Sequence, residues 1–462
     1  MEIFLIKALQ LILSISLLVV LHEFGHFFFA KLFGIRVHRF CLFFDFWKGG
    51  RKALPLGRWG NTDFAIGWLP LGGYVDIAGM VDESTGADAV AKEEAKIPAG
   101  ELFKNKPAWQ RLLVMVGGVL VNFLFALFVY SMVMLAWGEE RLPVRNITHG
   151  FSFSPTAEQM GFRDGDLIVG ADNETYTYFN QTRMLRDLGK AEVIHVMRNG
   201  QRLDIPLDGN IDLLKMVKEQ PPFVALTTPS IVDSVMADGA AAKGGLRSGD
   251  RIVGMNGKTI STWNEIDEQL AVVQDQIAAV EGKVEQKVLK TTLLVERKGT
   301  AQIDTLAFAL SNEGKLGVFK HNVLADYATE TISHNLLSCF PAGITHGWEV
   351  LSGYVSDLRY IFSAEGVKSV GSFGTIGSIF PATWDWAAFW QLTAFISLML
   401  AFMNFLPIPM LDGGYIFITL LEVVTRRKFS DKWIERVNTV GFYFVLGLMA
   451  LGLFNDIVRF VF

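Results

Sequence analysis

The sequence predicts a multi-pass α-helical membrane protein with two small β-rich, α+β domains held outside the bilayer. Three observations predict it. The 462 residues are 51% hydrophobic and only 19% charged, below the ~25% charged share of soluble domains, and the apolar residues are gathered into long runs. Between two pairs of such runs lies a stretch of ~250 residues, room for two small domains. Inside that stretch a short motif occurs twice.

Four segments carry the ~20 apolar residues that a helix needs to cross a hydrocarbon core. They run from about Ile3 to Leu32, between Arg111 and Glu139, from about Ala387 to Leu421, and between Arg436 and Asp456. The second and fourth contain no charge, and the third contains a single one, Asp412. The first could be mistaken for a cleaved leader. No small-residue cleavage site closes it, and it runs on into HEFGHFFFAKLF, so it is expected to be a retained span.

Loop charges give an orientation. Lys31, Arg36, Arg39, Lys48, Arg51, Lys52 and Arg58 follow span one, Lys104, Lys106 and Arg111 precede span two, and Arg426, Arg427, Lys428, Lys432 and Arg436 separate spans three and four. The positive-inside rule puts both loops in the cytoplasm, and both termini and the stretch from about Gly138 to Asp385 outside. The net charge of −5 gives no sign of a nucleic-acid partner. Cys41 and Cys339 make neither a disulfide framework nor a cysteine zinc site.

The repeat is specific. AEQMGFRDGDLIVG (Ala157 to Gly170) aligns with AKGGLRSGDRIVG at a constant shift of 84 residues, with Gly161, Arg163, Gly165, Asp166, Ile168, Val169 and Gly170 falling on Gly245, Arg247, Gly249, Asp250, Ile252, Val253 and Gly254. A short helix ending at glycine, then a turn and an apolar β-run, fits both copies. These residues resemble PDZ domains, which bind peptides by adding an extended strand to a sheet edge. Two β-rich spacers are the plainer reading. Val81 to Glu101 reads as a flexible, polar cytoplasmic loop, and about Leu324 to Ser363 as amphipathic helix at the membrane surface.

The chemistry sits in His22-Glu23-Phe24-Gly25-His26, which matches H-E-x-x-H. On a helix, residues i and i+4 share a face, so the two imidazoles can hold one Zn²⁺, with Glu23 placed to take a proton from the attacking water. Ionisable groups inside a span are costly and mark function. The alternatives are a His-Glu-His cluster that hydrogen-bonds neighbouring spans, or a proton relay. A catalytic zinc wants a third protein ligand. Asp412 is the charged candidate in span three, in Asn404-Phe-Leu-Pro-Ile-Pro-Met-Leu-Asp412-Gly-Gly414, where Pro407 and Pro409 break the helix. Irregular backbone at membrane depth is tolerated where it is buried or lines a wet cavity. The competing reading makes this a hinge whose Asp412 caps the next helix. The remaining histidines (His38, His149, His195, His321, His334, His346) lie outside the spans without ligand spacing and are expected to be structural.

Together, the H-E-x-x-H pentapeptide, NFLPIPMLDGG, the duplicated PDZ-like motif and a C-terminal LFND (Leu453 to Asp456) resemble the site-2 protease family of M50-type intramembrane zinc metalloproteases over essentially the whole chain. The resemblance implies zinc ligation by His22, His26 and Asp412, a catalytic base in Glu23, and substrate-backbone binding by Asn404. GWLPLGGYVDIAGM (Gly67 to Met80) resembles the family's membrane-re-entrant β-hairpin, with Gly73 and Tyr74 as substrate-binding positions on its edge strand. Two departures stand out: Tyr415 replaces the histidine of the family's LDGGH, and Ser372-Phe-Gly-Thr-Ile-Gly377 stands where the family has a GPxS-type segment.

The resemblance further implies regulated intramembrane proteolysis in the bacterial inner membrane, with the active site towards the cytoplasm. Substrates would be single-span proteins, such as a pre-cleaved anti-sigma factor or signal-peptide remnants, in stress signalling. The PDZ pair would bind peptide ligands and filter substrates. The expected division is 1–137 (spans one and two with a hairpin at about 62–80), 138–215 and 216–318 (PDZ-like), 319–386 (membrane-surface helices) and 387–462 (spans three and four). Two other classes compete: a non-enzymatic, membrane-anchored tandem PDZ receptor, and an ion-coupled transporter using Glu23 and Asp412.

Overall fold

A computed structural model describes residues 2–45, 53–80, 97–208, 222–236, 239–278, 289–300, 302–358 and 370–460. Most of the polar loop expected at Val81 to Glu101 lies outside the described residues. The chain divides into two units, Met1–Gly138 with Ser333–Phe462, and the inserted Glu139–Ile332.

The first unit opens with α1 (Glu2–Leu32), then β1 (Val37–Phe44), β2 (Leu54–Trp59), β3 (Thr62–Ile66) and β4 (Leu69–Ile77), then α2 (Ala108–Trp137). Helix α1 crosses α2 at glycine. A Cβ at Gly117 would stand 2.6 Å from the Gly25 carbonyl oxygen, and one at Gly25 would collide with the Gly117 backbone. Small residues let two apolar helices approach to backbone contact, which is how spans associate where water supplies no hydrophobic drive.

The hairpin expected at 62–80 is a different structure. The sheet order is β2-β3-β1-β4, so β1 lies between the two strands, parallel to β3 and antiparallel to β4. The run VHRFCLFF supplies a full strand where the sequence suggests only a basic loop. The connection at Gly67–Trp68 wraps the end of β1, donating Gly67 N–H to Leu42 O (2.7 Å) and Trp68 N–H to Phe44 O (3.2 Å). Strand β4 is left at a sheet edge beside α1, so close that a Cβ at Gly73 would stand 2.9 Å from Val19 Cγ1.

The inserted unit begins with β5 (Glu139–Arg141) and then builds one α+β arrangement twice. The first copy comprises β6 (Phe151–Phe153), α3 (Pro155–Gln159), β7 (Leu167–Ala171), β8 (Glu174–Thr175), α4 (Gln181–Leu188), β9 (Val193–Arg198), β10 (Gln201–Pro206) and β11 (Val224–Leu226). The second comprises β12 (Val232–Val235), α5 (Ala240–Lys243), β13 (Arg251–Met255), β14 (Lys258–Thr259), α6 (Trp263–Ala278), β15 (Lys290–Glu296), β16 (Ile303–Ala309) and β17 (Val318–Lys320). Each has a four-stranded sheet of matching order, β10-β9-β7-β8 and β16-β15-β13-β14, and a two-stranded ribbon joining its first and last strands. Because Val224–Leu226 pairs back onto Phe151–Phe153, the first copy ends beyond the 215/216 boundary expected from sequence. Strand β18 (Glu330–Ile332) pairs with β5 and closes the unit.

The repeat extends to side chains. Buried Asp166 accepts from Arg163 N–H (2.9 Å) and from Arg198, and buried Asp250 accepts from Arg247 N–H (2.8 Å) and from Arg297. Each arginine also donates to the glycine carbonyl that ends the short helix, Gly161 or Gly245. Hydrogen bonds to a charged group contribute about 1.5–3 kcal/mol. Asp166→Ala and Asp250→Ala are therefore each expected to destabilise the inserted unit by about 2–3 kcal/mol, read as lost hydrogen-exchange protection in β7 and β13 respectively. Unchanged protection would mean that the pair is dispensable.

The first unit resumes with α7 (Cys339–Asp357), α8 (Phe373–Ser378), α9 (Trp386–Phe405), α10 (Asp412–Thr425) and α11 (Asp431–Phe460). The segment 319–386, expected as membrane-surface helices, instead starts with strands of the inserted unit, and α7 lies lengthwise on α2. A Cβ at Gly343 would collide with the Ser131 backbone and one at Gly347 would stand 2.6 Å from the Leu127 side chain, a G-x-x-x-G face that the amphipathic pattern conceals. Cys339 and Cys41 are unpaired. Among the described residues, four helices are long and apolar enough to cross a membrane: α1, α2, α9 and α11. The third expected span is thus two helices, α9 and α10, separated by the proline-containing turn.

Candidate active site

Helix α1 presents His22, Glu23 and His26 on consecutive turns, and the first residue of α10 presents Asp412. His22 Nε2 lies 3.0 Å from Asp412 Oδ2, His26 Nε2 lies 3.4 Å from the same oxygen, and the two imidazole Nε2 atoms are 3.2 Å apart. Asp412 does not cap its helix: Leu411 occupies the N-cap position, with no side-chain cap bond, and the Asp412 carboxylate turns to the histidines. Pro407 and Pro409 make this possible by ending α9 at Phe405, so that a separate helix can start with the aspartate aimed at α1.

The electrostatics call for a cation. His26 Nδ1 is 2.8 Å from the Val114 carbonyl, which accepts its proton and leaves Nε2 as a lone pair. That lone pair faces a carboxylate oxygen that is buried without a hydrogen-bond donor. Acceptors do not face one another at 3.4 Å unless something positive lies between them. Ligands ~2.0–2.1 Å from a tetrahedral Zn²⁺ stand roughly 3.3 Å apart, and the three observed separations bracket that value. Space is provided as well: a Cβ at Gly118 would come within 2.5 Å of His26 Nε2 and 2.7 Å of His22 Cε1. The donor set, two neutral imidazoles and a carboxylate, suits zinc. Among the described residues, this is the one cluster of three or more His, Cys, Asp or Glu side chains that could hold a metal ion.

Glu23 lies within electrostatic range of His22, His26 and Asp412, and its carboxyl meets the backbone of Val75 in β4. Asn404, in the last turn of α9, brings its side-chain amide to 3.4 Å from His22 Nε2. Gly73 is close to α1, one turn from the histidines. Tyr74 is not brought to the centre: its hydroxyl donates to Asp45 (2.9 Å), which also pairs with Arg39 (2.9 Å), and its ring stacks on Phe44. Alternation along β4 sends Val75 and Tyr74 to opposite faces, so only one of them can face α1. Tyr415 is buried in the core and accepts a hydrogen bond from Asn438 of α11 (3.2 Å). His195 and His321, in the inserted unit, pair with Asp204 and Asp326, at 2.7 Å each.

Two contributors to the site escape sequence reasoning: Gly118 and the Val114 carbonyl. The Gly117-Gly118 pair in an uncharged span is the available signal for the first. A carbonyl that binds a ring nitrogen leaves none.

Comparison with known proteins agrees with this chemistry. The family description "Peptidase family M50" matches residues 10–448. The chain is 27% identical over 478 residues to the regulator of sigma-E protease RseP of Escherichia coli, covering 97% of each chain. It is 28% identical over 472 residues to protease RseP of Yersinia pestis, again covering 97% of each. A Vibrio cholerae relative whose name carries the words zinc metalloprotease is 25% identical over 467 residues, with 97% of each chain covered.

Proposed function

The chain belongs to peptidase family M50 and is a zinc-dependent metalloprotease, and from that premise we propose that it cuts single-span membrane proteins within the bilayer, using His22, His26 and Asp412 to hold the metal. The observation that carries this reading is the meeting of three acceptor atoms across α1 and α10, at separations a single cation explains, inside a bundle of membrane-length helices.

Bound zinc would supply a Lewis acid that polarises the scissile carbonyl and acidifies water. The chain's own residues do the rest. A Glu23 carboxylate oxygen takes the proton of the attacking water and returns it to the leaving nitrogen. Asn404, beside His22, orients the substrate backbone through its side-chain amide. A helical substrate shields its carbonyls with its own hydrogen bonds and has to unwind before it can be cut. The edge of β4 next to α1 suits an extended segment, which it would hold by main-chain pairing. In this reading Gly73 serves by keeping β4 close to α1, and Tyr74 serves the sheet through Asp45.

The two copies in the inserted unit act as PDZ-type modules that bind peptide ends and screen substrates outside the inner membrane. The named relatives that regulate sigma-E support a role in regulated intramembrane proteolysis. A tandem PDZ receptor without catalysis would leave the buried acceptor triad without a purpose.

The test uses the full chain in lipid nanodiscs with single-span substrates, intact or with the extracytoplasmic part removed. Trimmed substrates are expected to be cut inside the span, and both chelator treatment and Asp412→Asn are expected to stop cleavage. Products cut only outside the span, or cleavage that survives chelation, would sink the proposal.

A further inference from the structure

The two imidazoles that face Asp412 are held differently. His26 gives its Nδ1 proton to the Val114 carbonyl (2.8 Å). His22 has no such support: among the described residues, nothing in the protein hydrogen-bonds to its buried Nδ1. Yet His22 presents Nε2 to Asp412 (3.0 Å) and to His26 Nε2 (3.2 Å). A neutral imidazole that offers Nε2 as a lone pair carries its proton on Nδ1, so His22 Nδ1 is a donor that needs an acceptor. A metal-bound histidine nearly always gives that proton to a carboxylate, a carbonyl or a water.

An acceptor stands one turn along α2. Asn122 is fully buried, and among the described residues neither Oδ1 nor Nδ2 of its amide has a hydrogen-bond partner in the protein. An unpaired amide inside a span is costly, and a leucine would fill the same volume without that cost. Val114, Gly118 and Asn122 are spaced four residues apart, so they follow one another along one face of α2. That face meets α1 in antiparallel order, Val114 against His26 and Gly118 against both imidazoles. A Cβ at Gly118 would stand 2.9 Å from His22 Nδ1, and the Asn122 Cβ lies roughly 6 Å further along the same face. Helical side chains lean towards the N-terminus of their helix, so Asn122 leans back over the space that Gly118 leaves. Helix α9 brackets that space. Its Ser397 donates to the Asn122 carbonyl (2.7 Å), and Asn404, two turns further on, reaches His22 Nε2 at 3.4 Å.

We propose that Asn122 is a positioning residue for the metal site: through one buried water its Oδ1 takes up the His22 Nδ1 proton donor, and so fixes the tautomer and ring plane that present Nε2. The water accepts the N–H on its oxygen and donates to Oδ1, which gives it the two polar partners that a buried water needs. Val114 and Asn122 would then do the same work for His26 and His22, with Gly118 between them making room. The inference rests on the reading of His22 as a metal ligand.

The test measures zinc affinity of the full chain in mild detergent, by competition with a chromogenic chelator, beside thermal melting of the metal-free protein. Asn122→Leu keeps the size of the side chain and removes its polar atoms. It is expected to bind zinc about 10- to 100-fold more weakly, with a metal-free melting temperature no lower than that of the wild type. Asn122→Asp keeps an acceptor in place and should restore the affinity. Should the leucine variant not assemble, Asn122→Val carries the same comparison. Wild-type affinity in the apolar variant, or an aspartate variant as weak as the apolar one, would overturn the role of Asn122. His22→Ala, measured alongside, is expected to lose zinc whatever the outcome at Asn122, so a failure here is distinguishable from a failure of the ligand assignment. Zinc held at full affinity by His22→Ala would remove both.

Discussion

Glu23→Gln is expected to keep its zinc and lose its protease activity, by about 10²- to 10⁴-fold, the usual contribution of a positioned general base. The argument rests on what the substitution leaves alone. His22, His26 and Asp412 supply the acceptor atoms, and Glu23 supplies none of the close contacts among them. Glutamine keeps the size of the side chain and can still meet the Val75 backbone, so α1 and β4 should stay in register. What disappears is the ability to accept a proton and to return it to the leaving nitrogen. Zinc stoichiometry by elemental analysis, and cleavage of a trimmed single-span substrate in nanodiscs, separate the two roles. A variant that still cuts at wild-type rate would remove Glu23 from the mechanism, and one that loses zinc would make it part of the metal site instead.

Much of this site is legible in the sequence because its residues break the rules of their surroundings. A span tolerates few ionisable groups, so His22, Glu23, His26 and Asp412 stand out against apolar sequence without any structure. The two prolines before Asp412 likewise announce a helix break that the backbone realises between Phe405 and Asp412. The repeat at a shift of 84 residues is legible for a related reason: a buried aspartate that accepts the backbone N–H three residues before it, and the glycine turns around it, tolerate few substitutes, whereas the arginines that pair with these aspartates, Arg198 and Arg297, fall outside that register.

What cannot be read is what depends on partners remote in sequence. The strand Val37–Phe44 looks like part of a basic loop because Arg36, Arg39 and the lysines after it dominate the local composition. Only its pairing with both β3 and β4 makes it the centre of a sheet, and a run of eight residues says nothing about its neighbours. The amphipathic pattern of helix α7 suggests a surface location. Its glycines at 343 and 347 decide otherwise, since they let it lie on α2 with backbone close to backbone. The role expected of Tyr74 comes from resemblance alone, and side-chain alternation along β4 turns its hydroxyl to Asp45.

Gly118→Ala is expected to cost at least 10- to 100-fold in zinc affinity, the scale seen when the groups that orient a metal's ligands are disturbed, while leaving the helices assembled. The added methyl would sit 2.5 Å from His26 Nε2, 2.7 Å from His22 Cε1 and 2.9 Å from His22 Nδ1. Each of these is too close, and each belongs to an imidazole that can rotate. Rotation relieves the clash, but it swings Nε2 away from Asp412 and pulls His26 Nδ1 from the Val114 carbonyl that fixes its tautomer. The neighbouring Gly117→Ala is the control for mere crowding. Its methyl would meet the Gly25 carbonyl oxygen at 2.6 Å and the Phe29 ring at 2.8 Å, and Gly25 has no side chain that can turn aside. That variant should loosen the α1–α2 crossing and lower stability as a whole. Competition with a chromogenic chelator gives the zinc affinity, and thermal melting in detergent gives the assembly. If Gly118→Ala binds zinc as tightly as the wild type and melts lower, the glycine is there for packing and the metal lies elsewhere. If zinc affinity falls at an unchanged melting temperature of the metal-free protein, an absent side chain on α2 is part of what makes His22 and His26 a metal site.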